Sequence, residues 1–104
     1  MKNLVLIVFF GLCCYTVNSQ SNYIKYFELI ELAEHKKRNK DFKSAINLYN
    51  EAFLIEEGRG PDYLQLASCY LETGEYDKVI ENINTSVELG VPMRYVLRLK
   101  KEEE

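Results

Sequence analysis

Apolar residues recur at helical spacing along most of this chain of 104 residues. They fall three or four positions apart, which places them on one face of each of several successive helices. Glycine, proline and short polar runs interrupt the pattern and divide it into five segments. The pattern therefore predicts an all-α protein, with helices at about residues 23–38, 42–55, 61–72, 76–89 and 93–101.

The pattern repeats after 34 residues. Residues 29–62 align without a gap on residues 63–96, and the matched positions are apolar or small. A two-helix unit with this period is typical of a stacked array, in which each unit buries the apolar face of its neighbour. The matched pairs are Leu32 and Leu66, Ala33 and Ala67, Phe42 and Tyr76, Ala45 and Val79, Ile46 and Ile80, Tyr49 and Ile83, and Ala52 and Ser86.

The stacked array predicts which side chains lie inside. We expect the fourth helix to turn Val79, Ile80, Ile83 and Val87 inward, since they share one face. Among the eight tyrosines, we expect three at repeat positions to lie in the core: Tyr49, Tyr70 and Tyr76.

The second copy resembles a tetratricopeptide repeat. In that family a large residue, a leucine and a small residue mark the first helix, a Gly-acidic-aromatic turn follows, and small residues recur in the second helix. The first copy departs from this pattern at Lys36, in place of the aromatic, and at Lys40, in place of the turn glycine. The resemblance covers about residues 29–89 and implies a right-handed superhelical stack of antiparallel helix pairs. The residues that carry it are Tyr63, Leu66, Ala67, Tyr70, Gly74, Glu75, Tyr76, Val79, Ile80, Ile83, Ser86 and Leu89.

The first nineteen residues have the three parts of a secretory signal peptide. Lys2 is basic, residues 4–12 are a continuous apolar run, and Val17-Asn18-Ser19 offers small residues at a cleavage site. We expect export and cleavage near Ser19, which leaves a periplasmic or secreted protein. An uncleaved anchor and a lipid on Cys13 or Cys14 are alternatives, and only these would bring the protein to a membrane.

The remaining chain divides into five segments. Residues 20–28 extend the first helix, residues 29–62 and 63–92 form the two repeats, residues 93–101 form a capping helix, and residues 102–104 form a tail. Repeat arrays usually need about three units for stability. We therefore expect something to complete this one: self-association, a partner, or an N-terminal turn that carries Tyr23, Tyr26 and Phe27. The same three aromatic side chains are also a candidate binding surface.

Charge and composition exclude several kinds of function. The chain has 13 Lys and Arg against 16 Asp and Glu, so its net charge of −3 argues against a nucleic-acid partner. His35 is the only histidine, and Cys69 is the only cysteine after the signal, where we expect a small buried thiol. We therefore predict no catalytic, cofactor-binding or metal site, no small-molecule substrate, and no enzyme activity. The sequon Asn84-Thr85-Ser86 falls inside a helix with Ser86 at a buried crossing, so we interpret it as coincidental.

The resemblance also implies a binding groove, because the first helices of such repeats line a concave surface. Lys37 and Arg38 would hold carboxylates there, while Leu64 and Leu71 would supply apolar contacts beside Glu72. Glu34 and Ser68 stand where the family's clamp for C-terminal carboxylates has asparagine-type residues, so that specific activity does not carry over. The predicted groove comprises Ile30, Glu34, Lys37, Arg38, Leu64, Ser68, Leu71 and Glu72.

The functional prediction is therefore an exported interaction module that binds a peptide or protein through this groove. The alternative is a structural or assembly component, or the N-terminal part of a larger repeat-containing envelope protein.

Overall fold

The computed structural model describes residues 21–103, with side chains to residue 99, and these residues form helices joined by short loops without a strand. Helix α1 covers residues 21–38 of the described part. The remaining helices are α2 (Phe42–Ile55), α3 (Gly60–Thr73), α4 (Tyr76–Glu88) and α5 (Met93–Glu103). The predicted helices are confirmed, and their bounds agree to within two residues. The signal peptide predicted for residues 1–19 lies outside the described residues.

Neighbouring helices pack in chain order, with α1 on α2, α2 on α3 and α3 on α4. The core between them contains small residues at the helix crossings, where a larger side chain would force the helices apart. Ala33, Ala45, Ala52, Ala67 and Ser86 have no exposed surface. The predicted all-α stack of helix pairs is therefore confirmed, including the burial of Ser86.

The turns inside the two repeats share one backbone conformation. Gly74 ends α3 in the left-handed region with φ 79°, and Lys40, its equivalent 34 residues earlier, has φ 64°. Glycine adopts this conformation without strain, whereas a residue with a Cβ loses roughly 1–2 kcal/mol. The repeat geometry thus imposes a glycine conformation on a lysine.

The connection between the repeats contains a glycine for a different reason. The sequence favours Gly58 and Gly60 as points where the backbone is free to reverse, but neither has a positive φ. A Cβ on Gly58 would lie 2.6 Å from the rings of Phe53 and Tyr63. Those rings stack with centroids 4.3 Å apart. The backbone at Gly58 therefore fits only because it has no side chain.

The outer face of α4 is exposed, which corrects part of the core prediction. Val79 is buried and Ile83 is half-buried, as expected, but Tyr76, Ile80 and Val87 are exposed. The equivalent positions in the two repeats differ in this respect: Ile46 of α2, which packs on α3, is 9% exposed and belongs to the core, whereas Ile80 of α4 is 60% exposed.

Helix α5 forms at the position predicted for the capping helix, yet it leaves these side chains uncovered. Counted by the 34-residue period, Lys100 and Lys101 stand where α3 has Leu66 and Ala67. Lysine ammonium groups are strongly hydrated and are rarely buried without a partner. The sequence of α5 therefore lacks the apolar pair with which α3 packs into the core.

Candidate functional site

The eight predicted groove residues differ in how much surface they offer to a ligand. Three are buried, three are half-buried, and two on the last turns of α1 and α3 are exposed. In that order they are Ile30, Leu64 and Ser68; Glu34, Lys37 and Leu71; and Arg38 and Glu72. The binding role of this set stays a prediction. The three buried residues would contribute by supporting the shape of the groove, because they have little surface with which to contact a ligand.

Lys37 connects the two helices that would line the groove. Its Nζ donates a hydrogen bond to Oε1 of Gln65 on α3. This contact holds the ammonium group beside α3, close to the face that carries Leu64. Arg38 is one residue further around α1, where it lines a separate surface recess with Glu28, Glu31, Leu32 and His35. The structure therefore brings Lys37, but not Arg38, to the α3 side.

An apolar pocket of about 360 Å³ opens beside Leu64. The first turns of α3, the loop after α4 and the start of α5 enclose it. Its lining residues are Pro61, Leu64, Gln65, Leu89, Gly90, Val91, Pro92 and Tyr95. Leu64 is the one predicted groove residue in this pocket. Sequence reasoning missed the others, although Pro61, Leu64 and Gln65 share one face of a helix by their spacing of three and four.

Two arginines flank the aromatic ring at the edge of the pocket. The guanidinium carbons of Arg94 and Arg98 lie 5.2 Å and 5.5 Å from the ring centroid of Tyr95. Both distances are in the range of a cation–π contact. The pocket therefore combines an apolar interior with positive charge beside one wall, an arrangement that suits an apolar group next to an anionic one.

Two side chains of the described part, Cys69 and His35, belong to types that often carry chemistry, and their surroundings are as follows. Cys69 is fully buried, and burial raises the pKa of its thiol to about 11, so it is protonated at neutral pH. His35 is exposed and lies 3.2 Å from Asn39, measured from Nε2 to Nδ2. Within residues 21–99 no group of three His, Cys, Asp or Glu side chains is arranged to hold a metal ion. Across the described helices none is long and apolar enough to cross a bilayer.

A buried polar cluster at the N-terminal end of the stack was not predicted. The Tyr26 hydroxyl donates to Oδ2 of Asp62 at 2.6 Å and accepts from the backbone N–H of Arg59 at 3.2 Å. Arg59 completes the cluster with two bonds to the same carboxylate, at 2.9 Å and 3.1 Å. Burial, together with the bond to Asp62, raises the pKa of Tyr26 to about 12.

This cluster corrects the prediction of an aromatic binding surface at residues 23–27. Tyr26 is buried and fully committed to Asp62 and Arg59. Phe27 is partly exposed, but the Arg59 guanidinium lies 5.0 Å from its ring centroid. Tyr23 alone of the three is exposed without a described aromatic or hydrogen-bond contact. The signal for Tyr26 was its position four residues before Ile30 and seven before Ala33, on the buried face of α1.

Comparison with known proteins finds relatives that are similar to part of this chain. No family model and no solved structure gives a significant match to the chain. It is 36% identical over 64 residues to Hsp70-Hsp90 organizing protein 1 of Arabidopsis thaliana, which is 62% of this chain and 11% of that protein. It is 33% identical over 63 residues to anaphase-promoting complex subunit 3 of Dictyostelium discoideum, or 61% of this chain and 6% of that protein. Both similar proteins contain tetratricopeptide repeats.

Over about 60% of its length the chain is similar to proteins that contain tetratricopeptide repeats. The 34-residue period and the packed helix pairs are consistent with this similarity. The chain spans about a tenth or less of the length of the two relatives, so the comparison concerns the repeat region alone. Tetratricopeptide repeats of this kind support a role in protein–protein interaction. The pocket beside Leu64 therefore lies between α3, which is the first helix of the second repeat, and α5, which follows the repeats.

Proposed function

We propose that the protein is an exported interaction module that binds a peptide segment of a partner protein at the pocket beside Leu64. The observation that carries this proposal is the combination of an apolar pocket with the cationic side chains of Arg94 and Arg98 at Tyr95. The names of the two similar proteins support it, since one is an organizing protein for Hsp70 and Hsp90 and the other is a subunit of a complex.

The pocket favours a ligand with an apolar side chain followed by acidic groups. The apolar side chain would displace water from the surfaces of Val91, Pro92 and Tyr95, and each buried methylene contributes about 0.8 kcal/mol. Arg94 and Arg98 would then hold a carboxylate, with Lys37 available if its bond to Gln65 opens. Leu64 would act as part of the pocket wall, in keeping with its predicted role as an apolar contact.

Export is a separate part of the proposal and rests on residues 1–19. Expression of the full chain in an export-competent host, followed by mass measurement of the released protein, tests it. Cleavage near Ser19 predicts that the mature protein begins at Gln20. Retention of the intact chain inside the cell contradicts export, and a mass increase from a lipid on Cys13 or Cys14 would support the lipoprotein alternative.

Peptide binding is tested by selecting ligands from a random peptide library on the full chain and measuring their affinity by fluorescence polarisation. We expect selected peptides to contain an apolar residue next to Asp, Glu or a C-terminal carboxylate. Tyr95→Ala removes the aromatic wall of the pocket, and truncation of such an anchor typically costs about 2 kcal/mol, which is roughly thirtyfold in Kd.

Leu54→Ala is the matched control for the loss of an exposed apolar side chain. Leu54 is 88% exposed on α2 and does not line the pocket. Its substitution should leave the affinity unchanged. Equal affinity of Tyr95→Ala and the unmodified protein for every selected peptide would reject the pocket as the binding site.

A further inference from the structure

The outer face of α4 carries a continuous apolar stripe that is separate from the pocket at Leu64. Tyr76, Ile80, Ile83 and Val87 follow one another at intervals of four, three and four residues. This spacing is that of the packed positions in a pair of helices. Tyr76, Ile80 and Val87 are exposed, and Ile83 retains part of its surface.

The repeat itself indicates that this stripe is a helix-docking surface. Ile46 occupies the position in α2 that Ile80 occupies in α4, and Ile46 is buried in the core of the stack, where α2 packs on α3. The stripe on α4 is therefore the same kind of surface as the α2 face that already binds a helix within the chain. Helix α5 does not cover it, because Ile80 remains 60% exposed.

The opposite end of the stack does not offer a matching apolar face. Leu66 is 2% exposed between α2 and α4, whereas its equivalent Leu32 on α1 is 45% exposed. Exposed Glu28 and His35 lie next to Leu32 along α1 and share the recess that it lines. Docking of the α4 stripe onto the α1 end of another copy would bury these polar groups, so open-ended stacking is disfavoured.

We propose that two copies of this chain associate through their α4 stripes, with the helices antiparallel about a two-fold axis. An axis midway between Ile80 and Ile83 sets Ile80 against Ile83 of the second copy and Tyr76 against Val87. All four central pairings are then apolar. The interface is closed and self-complementary, which is the commonest arrangement among homodimers.

The polar side chains beside the stripe fit the same arrangement. Asp77 and Asn84 lie on the same side of the stripe, by their spacing of seven residues. In the antiparallel pair Asp77 faces Asn84 of the second copy, and the same contact recurs on the other side of the axis. A carboxylate opposite an amide can form a hydrogen bond, and no like charges meet at this position.

Sedimentation equilibrium of the full chain over a wide concentration range tests the proposal. We expect a reversible monomer–dimer equilibrium that Ile80→Glu abolishes, while Leu32→Glu leaves it unchanged. Both substituted side chains are exposed in the monomer, so each variant should keep the helical circular dichroism of the unmodified protein. Association through residues 1–20 would persist in Ile80→Glu, and that result would overturn the proposal, as would a monomer at every concentration.

Substitutions at Asn84 test the antiparallel alignment. Asn84→Lys places an ammonium group opposite Asp77 twice in each dimer and should tighten the dimer by about fivefold, whereas Asn84→Asp should weaken it by a similar factor. The reverse order, or no difference between the two variants, would overturn the alignment. A loss of association in Leu32→Glu would instead indicate head-to-tail stacking and would contradict the two-fold arrangement.

Discussion

The stability of the stack should depend on the hydroxyl group of Tyr26 but not on that of Tyr49. Both side chains are buried tyrosines in the same core. The Tyr26 hydroxyl has a carboxylate acceptor and a backbone donor. The Tyr49 hydroxyl has no hydrogen-bond partner among the described residues. The substitutions Tyr26→Phe and Tyr49→Phe therefore remove the same hydroxyl group, which is hydrogen-bonded in Tyr26 and unbonded in Tyr49.

The expected magnitudes follow from these contacts. Tyr26→Phe deletes a 2.6 Å bond to the Asp62 carboxylate and leaves the backbone N–H of Arg59 without its acceptor. A hydrogen bond to a charged group is worth roughly 1.5–3 kcal/mol, so we expect a loss of about 2 kcal/mol. Asp62 keeps its two bonds to Arg59, which limits the loss. Tyr49→Phe removes a buried hydroxyl that makes no hydrogen bond in the fold and loses its bond to water on folding. The free energy of unfolding should therefore stay constant or rise by about 1 kcal/mol.

Urea unfolding followed by circular dichroism at neutral pH measures both changes. Thermal unfolding gives a second measurement, since about 2 kcal/mol corresponds to a fall of roughly 8–16 °C in Tm for a domain of this size. The slope of the urea transition should be the same in all three proteins, because the surface exposed on unfolding barely changes. If Tyr26→Phe is as stable as the unmodified protein, or if the two variants lose equal stability, the assigned hydrogen bonds do not carry the energy ascribed to them.

Three further outcomes are expected. Lys40→Gly should raise stability by about 0.5 kcal/mol, because relief of the left-handed strain exceeds the added freedom of the unfolded chain, while Gly74→Ala should lower it by about 1 kcal/mol. Urea unfolding measures both, and a loss in Lys40→Gly would contradict the strain at that turn. Gly58→Ala should lower stability by about 1–3 kcal/mol through the clash with the two rings, and an unchanged Tm would show that the rings move aside freely. Stability should also fall as the pH rises from about 10 through 12, because the raised pKa values of Tyr26 and Tyr49 keep both phenols neutral in the fold but not in the unfolded chain. Tyr26→Phe should make that fall less steep, with the remainder due to Tyr49, and an equally steep fall in the variant would show that Tyr26 does not contribute to it.

The helices and most of the core could be predicted because they depend on local spacing. Ala33 recurs as Ala67 after one period, while Ala45 and Ala52 stand at repeat positions matched by Val79 and Ser86. Small residues at such positions are typical of close helix crossings. All four are fully buried. The glycine after α3 was equally predictable, since the left-handed conformation that ends a helix favours it.

The exposure of Ile80 was not predictable from its own helix. Its spacing equals that of Ile46, and the two differ only in whether a helix packs on top. The sequence of α5 indicates this exposure, because Lys100 and Lys101 occupy the positions at which α3 has the apolar pair Leu66 and Ala67. Extending the period beyond the second repeat, rather than counting apolar residues in each helix, would have revealed it.

The polar cluster and the pocket depend on contacts between distant segments. Tyr26 and Asp62 are 36 positions apart, and neither residue alone indicates the other. Likewise the pocket joins Leu64 to Tyr95 across the loop after α4. Periodicity places each of these residues on a helix face but does not tell which faces converge, so the groove was predicted from resemblance and only Leu64 lies in the pocket.

The bond between Tyr26 and Asp62 also has a consequence for how the molecule opens. It connects the beginning of α1 to the first turn of α3. The first helix pair therefore cannot unfold locally without breaking a contact that also stabilises the second helix pair. Linear arrays with weak coupling between units commonly lose their end units first. Here native-state amide exchange should instead show α1 and α3 opening together, as a single cooperative unit.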